Sequence, residues 1–263
     1  MRSSSRHRSG RRRVFVAVAL LVLAVPVVLV LEAAWAISRP RLSHDPGFDV
    51  STTIGEERPG TPLVLHALGD STIAGIGVDE ASESLPQQVA SKVSDALDRP
   101  VRLVGHGVSG AVTSDILDQV DDVPREGVDV IVIEVGSNDV THRTKLDDLE
   151  ADTRRMLEDA TARSPIVVFG SSGKLNTPNF LQPLRWVVMW RASAVRGRQE
   201  RIAREHDEVS FVNVAEEVAP EFERIGPSSN SSDGFHPSAK GYEAWARPLA
   251  ERVVDAVERR ARR

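Results

Sequence analysis

The strongest constraint on the fold lies in apolar runs that lack alternation, above all Val130-Ile131-Val132-Ile133. A strand with one wet face alternates apolar and polar residues, whereas a strand covered on both faces does not. Similar runs recur at Leu63 to Leu68, Val101 to Val104, Val128 to Val135, Ile166 to Phe169 and Val209 to Val214. Between them lie amphipathic segments at Glu83 to Leu97, Val112 to Val120, Leu146 to Ala162 and Arg185 to His206, and a last one follows from Ala239 to Arg259. Strand and helix in alternation imply right-handed crossovers. The predicted fold is therefore α/β: a three-layer α/β/α sandwich around a five-stranded parallel sheet of flavodoxin-like type.

The chain has 263 residues, enough for one sizeable α/β domain once the N-terminal segment is set aside. Six arginines stand within the first 13 residues, with no acidic partner. Without them the chain carries 27 basic against 38 acidic residues, net −11. Residues 1–13 thus read as a basic cytoplasmic arm. From Val14 to Leu31 every residue is apolar, Pro26 being the one neutral interruption, and Glu32 is the first charge. As a helix such a run reaches roughly 27 Å, near the thickness of a bilayer core. Residues 14–37 are expected to be a transmembrane signal anchor, with the basic arm retained in the cytoplasm by the positive-inside rule. Cleavage as a signal peptide near Ala36, in Ala34-Trp35-Ala36, is the competing reading. Either way the domain is expected outside the cytoplasm, on the cell membrane or secreted.

Residues 38–61 mix Pro, Gly and polar residues without a period and read as a linker or an edge wrap. Residues 62–263 form the expected catalytic domain. There are no cysteines, which removes disulfides, a lipid-modified cysteine and a thiol nucleophile from consideration.

Ligands of open α/β sheets sit beyond the carboxyl ends of the strands. Three strings fall there: Gly69-Asp70-Ser71-Thr72 after the first run, Gly136-Ser137-Asn138-Asp139 after the third, and Asp233-Gly234-Phe235-His236 before the last helix. Asp70, Ser71 and Thr72 are all good helix caps, and Asn138 is a common turn former. Together, however, the strings hold a hydroxyl nucleophile, a base with a nearby carboxylate to orient it, and an amide donor. Gly105-His106-Gly107-Val108-Ser109-Gly110 follows the second strand on the same edge and is able to bring a backbone N–H toward them. Neither the dinucleotide glycine spacing nor a Gly-Lys-Ser/Thr ending occurs, and His and carboxylates lack zinc-site spacing, so no cofactor and no metal is expected.

These strings resemble, in order and over about residues 62 to 257, the four blocks of the SGNH hydrolases, also called the GDSL esterase/lipase family. The resemblance implies that Ser71 is the nucleophile, His236 the base and Asp233 its orienter. It further implies an oxyanion hole from the Ser71 and Gly110 backbone N–H groups and the Asn138 side chain. Thr72 replaces the leucine of the family's name, and Gly105 stands where many members carry asparagine. The Gly-x-Ser-x-Gly elbow of α/β-hydrolases is missing, because Ile73 occupies its last glycine position.

The expected activity is hydrolysis of carboxylic acyl esters of lipids, lysophospholipids or acylated sugars. The alternatives are an acyltransferase or deacetylase acting on cell-envelope glycans, and a binding module without catalysis. The expected partners are an acyl-ester substrate and, through residues 14–37, the membrane; no nucleic acid is expected, and the oligomeric state stays open. Trp186 and Trp190, four residues apart with Met189 between them, follow a loop with Pro178, Phe180 and Pro183. They read as a core stripe in preference to an acyl-chain lid or lipid-touching surface. His66 reads as a packed histidine, and His142 as lining the pocket or facing water.

Overall fold

A computed structural model describes residues 24–171 and 179–263. Its six-stranded sheet runs in the order β1-β3-β2-β4-β5-β6. The strands are β1 (Thr52–Ile54), β2 (Leu63–Gly69), β3 (Val101–Gly105), β4 (Val130–Val135), β5 (Val167–Ser171) and β6 (Val209–Val212). The helices are α1 (residues 24–37), α2 (Ser71–Ala74), α3 (Leu85–Leu97), α4 (Ile116–Asp121), α5 (Ser137–Thr141), α6 (Leu146–Thr161), α7 (Leu184–Ala203), α8 (Val214–Glu217), α9 (Ala219–Ile225) and α10 (Ala239–Ala261).

All five predicted strands are present and pair in parallel. The β4 run shows why it lacks alternation. Val130 and Val132 turn to one face, where Val89 and Val93 of α3 and Tyr242, Leu249 and Val253 of α10 cover them. Ile131, Ile133 and Val135 turn to the other, against Ile116, Val120, Met156, Leu157 and Ile202. Each such aliphatic side chain contributes about 1.5–3 kcal/mol by leaving water. Two dry faces on one sheet define the three layers.

The expected five strands become six, because β1 joins the sheet edge antiparallel to β3. It lies within residues 38–61, the segment read as a linker or an edge wrap, and the second of these is what it forms, although its three residues Thr-Thr-Ile are too few to show a period. This segment also explains Gly105. A Cβ there would lie 2.2 Å from Val50 Cγ2, and the Gly105 N–H donates to Ser51 Oγ at 3.1 Å. The wrapping segment occupies the space and supplies the bracing that a side chain at 105 would otherwise provide.

Residues 1–23, and with them the basic arm and most of the apolar run assigned to a membrane anchor, lie outside the described residues, as does Pro178. Among the described residues no helix is long and apolar enough to cross a membrane.

Candidate active site

The strand β2 ends at Gly69, and its end is fixed by a side chain from α4: Gln119 accepts from the Gly69 N–H at 2.8 Å and donates to the Gly69 carbonyl at 2.9 Å. The next residue, Asp70, caps α2 by accepting from the Thr72 N–H and the Thr72 hydroxyl, both at 2.9 Å. Capping thus falls to one of the two neighbours. Asp70 does it, and the Ser71 hydroxyl points elsewhere.

It points to His236, whose Nε2 lies 3.1 Å from Ser71 Oγ. The other ring nitrogen, Nδ1, lies 2.7 Å from Asp233 Oδ2. A carboxylate can only accept, so Nδ1 carries the proton and the Nε2 lone pair faces the serine. The second oxygen, Asp233 Oδ1, accepts from Ser231 Oγ at 2.8 Å, Phe235 N at 2.8 Å and His236 N at 3.0 Å. Burial alone would push this carboxyl up. The hydrogen bonds from the imidazole and the two backbone N–H groups outweigh it and hold Asp233 below the usual carboxylate range. The loop is closed by the Ser231 N–H donating to the His236 carbonyl at 2.8 Å, and by Asn179 donating to the Asp233 carbonyl at 2.9 Å.

Asn138, second residue of α5, lines the same cavity as these groups. Its amide donates to the Ala111 carbonyl at 2.9 Å and reaches Asp70 Oδ2 at a long 3.4 Å. The adjacent Asp139 accepts from the Thr113 N–H at 3.0 Å and hydroxyl at 2.9 Å, fastening α5 to the loop after β3. Burial raises the Asp139 carboxyl, with the Thr113 bonds opposing, and raises Asp70, with the Thr72 bonds opposing. The loop after β3 also lies against α2. A Cβ on Gly107 would fall 2.2 Å from Ala74 N and 2.6 Å from Ile73 C, so only glycine permits this approach. Gly110 has a left-handed φ of 90° and precedes Ala111, the residue that holds Asn138.

Ser71, Asn138, Asp233 and His236 line a cavity of about 610 Å³, and Gly110 is not among its lining residues. One wall is apolar, built by Val214, Val218, Phe222 and Trp245. Of the residues around the site, Asp70 is the helix cap that its residue type suggests, whereas Asn179, Ser231 and the α8–α9 wall have no place in the sequence reading. The spacing 214, 218, 222 was the available sign of that wall, since four-residue steps share a helix side.

His66 is buried, as its reading as a packed histidine requires, and shares a 2.9 Å contact with His106. Burial, with His106 and Arg102 adding, lowers it to about 4. His142 is exposed and does not line the cavity. Trp186 and Trp190 correct the core reading, because each is 71% exposed. The inward side of α7 is instead Val188, Ala192 and Val195, packed with Phe180, Leu149 and Phe235.

A serine, a histidine and an aspartate thus stand in one hydrogen-bonded line beyond the strand ends of a mostly parallel α/β/α sheet. The profile of the GDSL-like Lipase/Acylhydrolase family matches residues 67–244. The chain belongs to that family and is a carboxylic ester hydrolase. Among solved structures it is similar to the lipase Lip_vut3 from a goat rumen metagenome, at 21% identity and TM-score 0.58, covering 72% of this chain and 97% of that one. It is similar also to Axe2, an acetylxylan esterase from Geobacillus stearothermophilus, at 18% identity and TM-score 0.55, covering 74% and 95%. A third is LAE5, an alpha/beta hydrolase from the metagenome of Lake Arreo, Spain, at 16% identity and TM-score 0.58, covering 73% and 94%. At these identities the likeness is one of fold. No curated protein matches.

Proposed function

We propose that this chain is a serine esterase in which Ser71 attacks the acyl carbonyl while His236 Nε2 takes its proton. The bond to the alcohol then breaks as His236 returns that proton to the leaving oxygen, and water repeats the sequence to release the acid. Asp233 holds the imidazole in the required tautomer and stabilises the imidazolium. The observation that carries this reading is the unbroken line from Ser71 Oγ through His236 to Asp233, at 3.1 and 2.7 Å.

The developing oxyanion is received by the Ser71 and Gly110 N–H groups and by Asn138. For Asn138 this means exchanging its long contact with Asp70 for the oxyanion, a small rotation of an amide whose other N–H stays on Ala111. A preorganised donor of this type is worth roughly 2.7–4 kcal/mol in the transition state. The acyl chain lies along Val214, Val218, Phe222 and Trp245, the apolar wall of the cavity. The Arg-rich arm and the apolar run Val14–Leu31 hold the domain on the outer face of the membrane, a reading that membrane retention after a high-salt wash tests.

The decisive experiment is fluorophosphonate labelling with turnover of short p-nitrophenyl esters. One label per chain at Ser71, and loss of both labelling and turnover in Ser71→Ala and His236→Ala, are expected. Wild-type turnover in Ser71→Ala would sink the mechanism.

A further inference from the structure

The first half of α7 presents Trp186 and Trp190 one turn apart, each 71% exposed, with Val187 and Leu181 beside them about half exposed. Single exposed apolar residues are ordinary, but a contiguous group with two tryptophans is not. The neighbouring element extends it. Glu32 of α1 accepts from the Leu184 N–H at 2.8 Å, which sets the first turn of α7 against the end of the apolar run Val14–Leu31. On α1, Val27, Val30 and Leu31 are themselves mostly exposed.

Cations flank this face. Arg191, next to Trp190, donates to the Thr144 carbonyl and so draws the exposed Arg143 and Lys145 to its side. Arg39, just past α1, and Arg185, next to Trp186, both line the cavity. Apolar residues and tryptophans ringed by cations are the composition of a surface resting on a membrane with anionic headgroups.

From this juxtaposition of α1, the tryptophan face of α7 and the Arg39–Arg185 side of the cavity, we infer that the α7 face docks on a lipid bilayer. The cavity is then loaded from that surface with amphiphilic esters. The inference rests on the esterase and membrane readings above and deepens them by naming the surface and the substrate class.

The test uses the full chain in vesicles of phosphatidylcholine and phosphatidylglycerol whose acyl chains carry bromine, a short-range quencher of tryptophan. Trp35→Phe removes the α1 tryptophan, and Trp245, which lines the cavity, is read by itself in Trp35→Phe/Trp186→Phe/Trp190→Phe so that its own quenching is subtracted. Emission of this variant is expected to fall by about half relative to plain vesicles, as tryptophans at the headgroup level are reached by the quencher. The part of the loss that exceeds the quenching of Trp245 in Trp35→Phe/Trp186→Phe/Trp190→Phe belongs to Trp186 and Trp190 and should be most of it. Equal emission in brominated and plain vesicles overturns the inference, as it would if a second copy or another protein covered the face.

Flotation separates this from anchoring. Quenching without flotation leaves the docking face standing and removes the anchor, whereas flotation without quenching does the reverse. Trp186→Ser/Trp190→Ser should lower turnover of a vesicle-embedded ester about tenfold while leaving a soluble short ester unchanged, a change of about 1.4 kcal/mol in the barrier. An equal loss on both substrates also counts against docking.

Discussion

Replacing Asp233 by Asn probes the proposed mechanism most sharply, because the surrounding hydrogen bonds dictate which way the new amide must face. Oδ1 accepts from Ser231 Oγ, Phe235 N and His236 N. The serine hydroxyl is able to turn, but the two backbone N–H groups are not. Placing the amide NH₂ against them would leave two buried donors unpaired, at about 1–3 kcal/mol each, so that orientation is disfavoured by about 2–6 kcal/mol. The amide oxygen therefore stays where Oδ1 was, and its NH₂ faces His236 Nδ1. Donor then meets donor unless the imidazole moves its proton to Nε2. In that tautomer Nε2 donates toward Ser71 and no longer accepts from it.

A carboxylate-to-amide change with this consequence costs about 10⁴ in turnover, or about 5 kcal/mol of barrier. The assay is steady-state hydrolysis of p-nitrophenyl acetate together with the rate of fluorophosphonate labelling, with near-UV circular dichroism to verify the fold. Turnover within tenfold of wild type, in a folded variant whose His236→Ala counterpart is inactive, would refute the tautomer argument. A second signature follows from linkage. Asp233 is held below its unfolded value, so its contribution to stability is present above about pH 4 and is lost as pH falls below that. The stability gap between wild type and Asp233→Asn should narrow on acidification.

Two further outcomes test the scaffold. Gly107→Ala places a Cβ 2.2 Å from the backbone of α2 and should cost about 1–3 kcal/mol in chemical denaturation. Turnover should fall about 10²-fold, because α2 carries Ser71; Gly197→Ala in α7, where a Cβ meets nothing within 4 Å, should lose neither. Glu134 is buried at the end of β4, and its Oε2 has no hydrogen-bond partner. Burial, with nearby Asp70 adding, raises it well above the usual range. The folded chain thus keeps a proton that the unfolded chain releases above about pH 4.3, and stability drains as pH rises. Glu134→Gln removes that slope, so the melting temperature of wild type should drop relative to Glu134→Gln between pH 5 and pH 8.

The layered fold was legible because its strands are buried on both faces, and a run such as Val130-Ile131-Val132-Ile133 has few other places to go. β1 was not, since three residues at a sheet edge carry no period and owe their conformation to β3. The line through Ser71, His236 and Asp233 was legible as residue types on one sheet edge. What pins it was not. The three donors on Asp233 Oδ1, and the Asn138 amide shared between Ala111 and Asp70, are products of loop geometry that no spacing encodes. The tryptophans of α7 show the limit of periodicity itself. A four-residue step says that two side chains share a face, and says nothing about whether that face meets protein or solvent.

Ser71 and His236 stand 165 residues apart in the chain, yet they face each other across one hydrogen bond. A second clasp lies beside it, where Tyr242 of α10 donates to the Ile76 carbonyl just past α2 at 2.5 Å. In the proposed mechanism the nucleophile is synthesised long before its base. On that mechanism a growing chain carries an inert serine until α10 has packed back against α2, so the hydroxyl is activated only once the sheet between them is assembled.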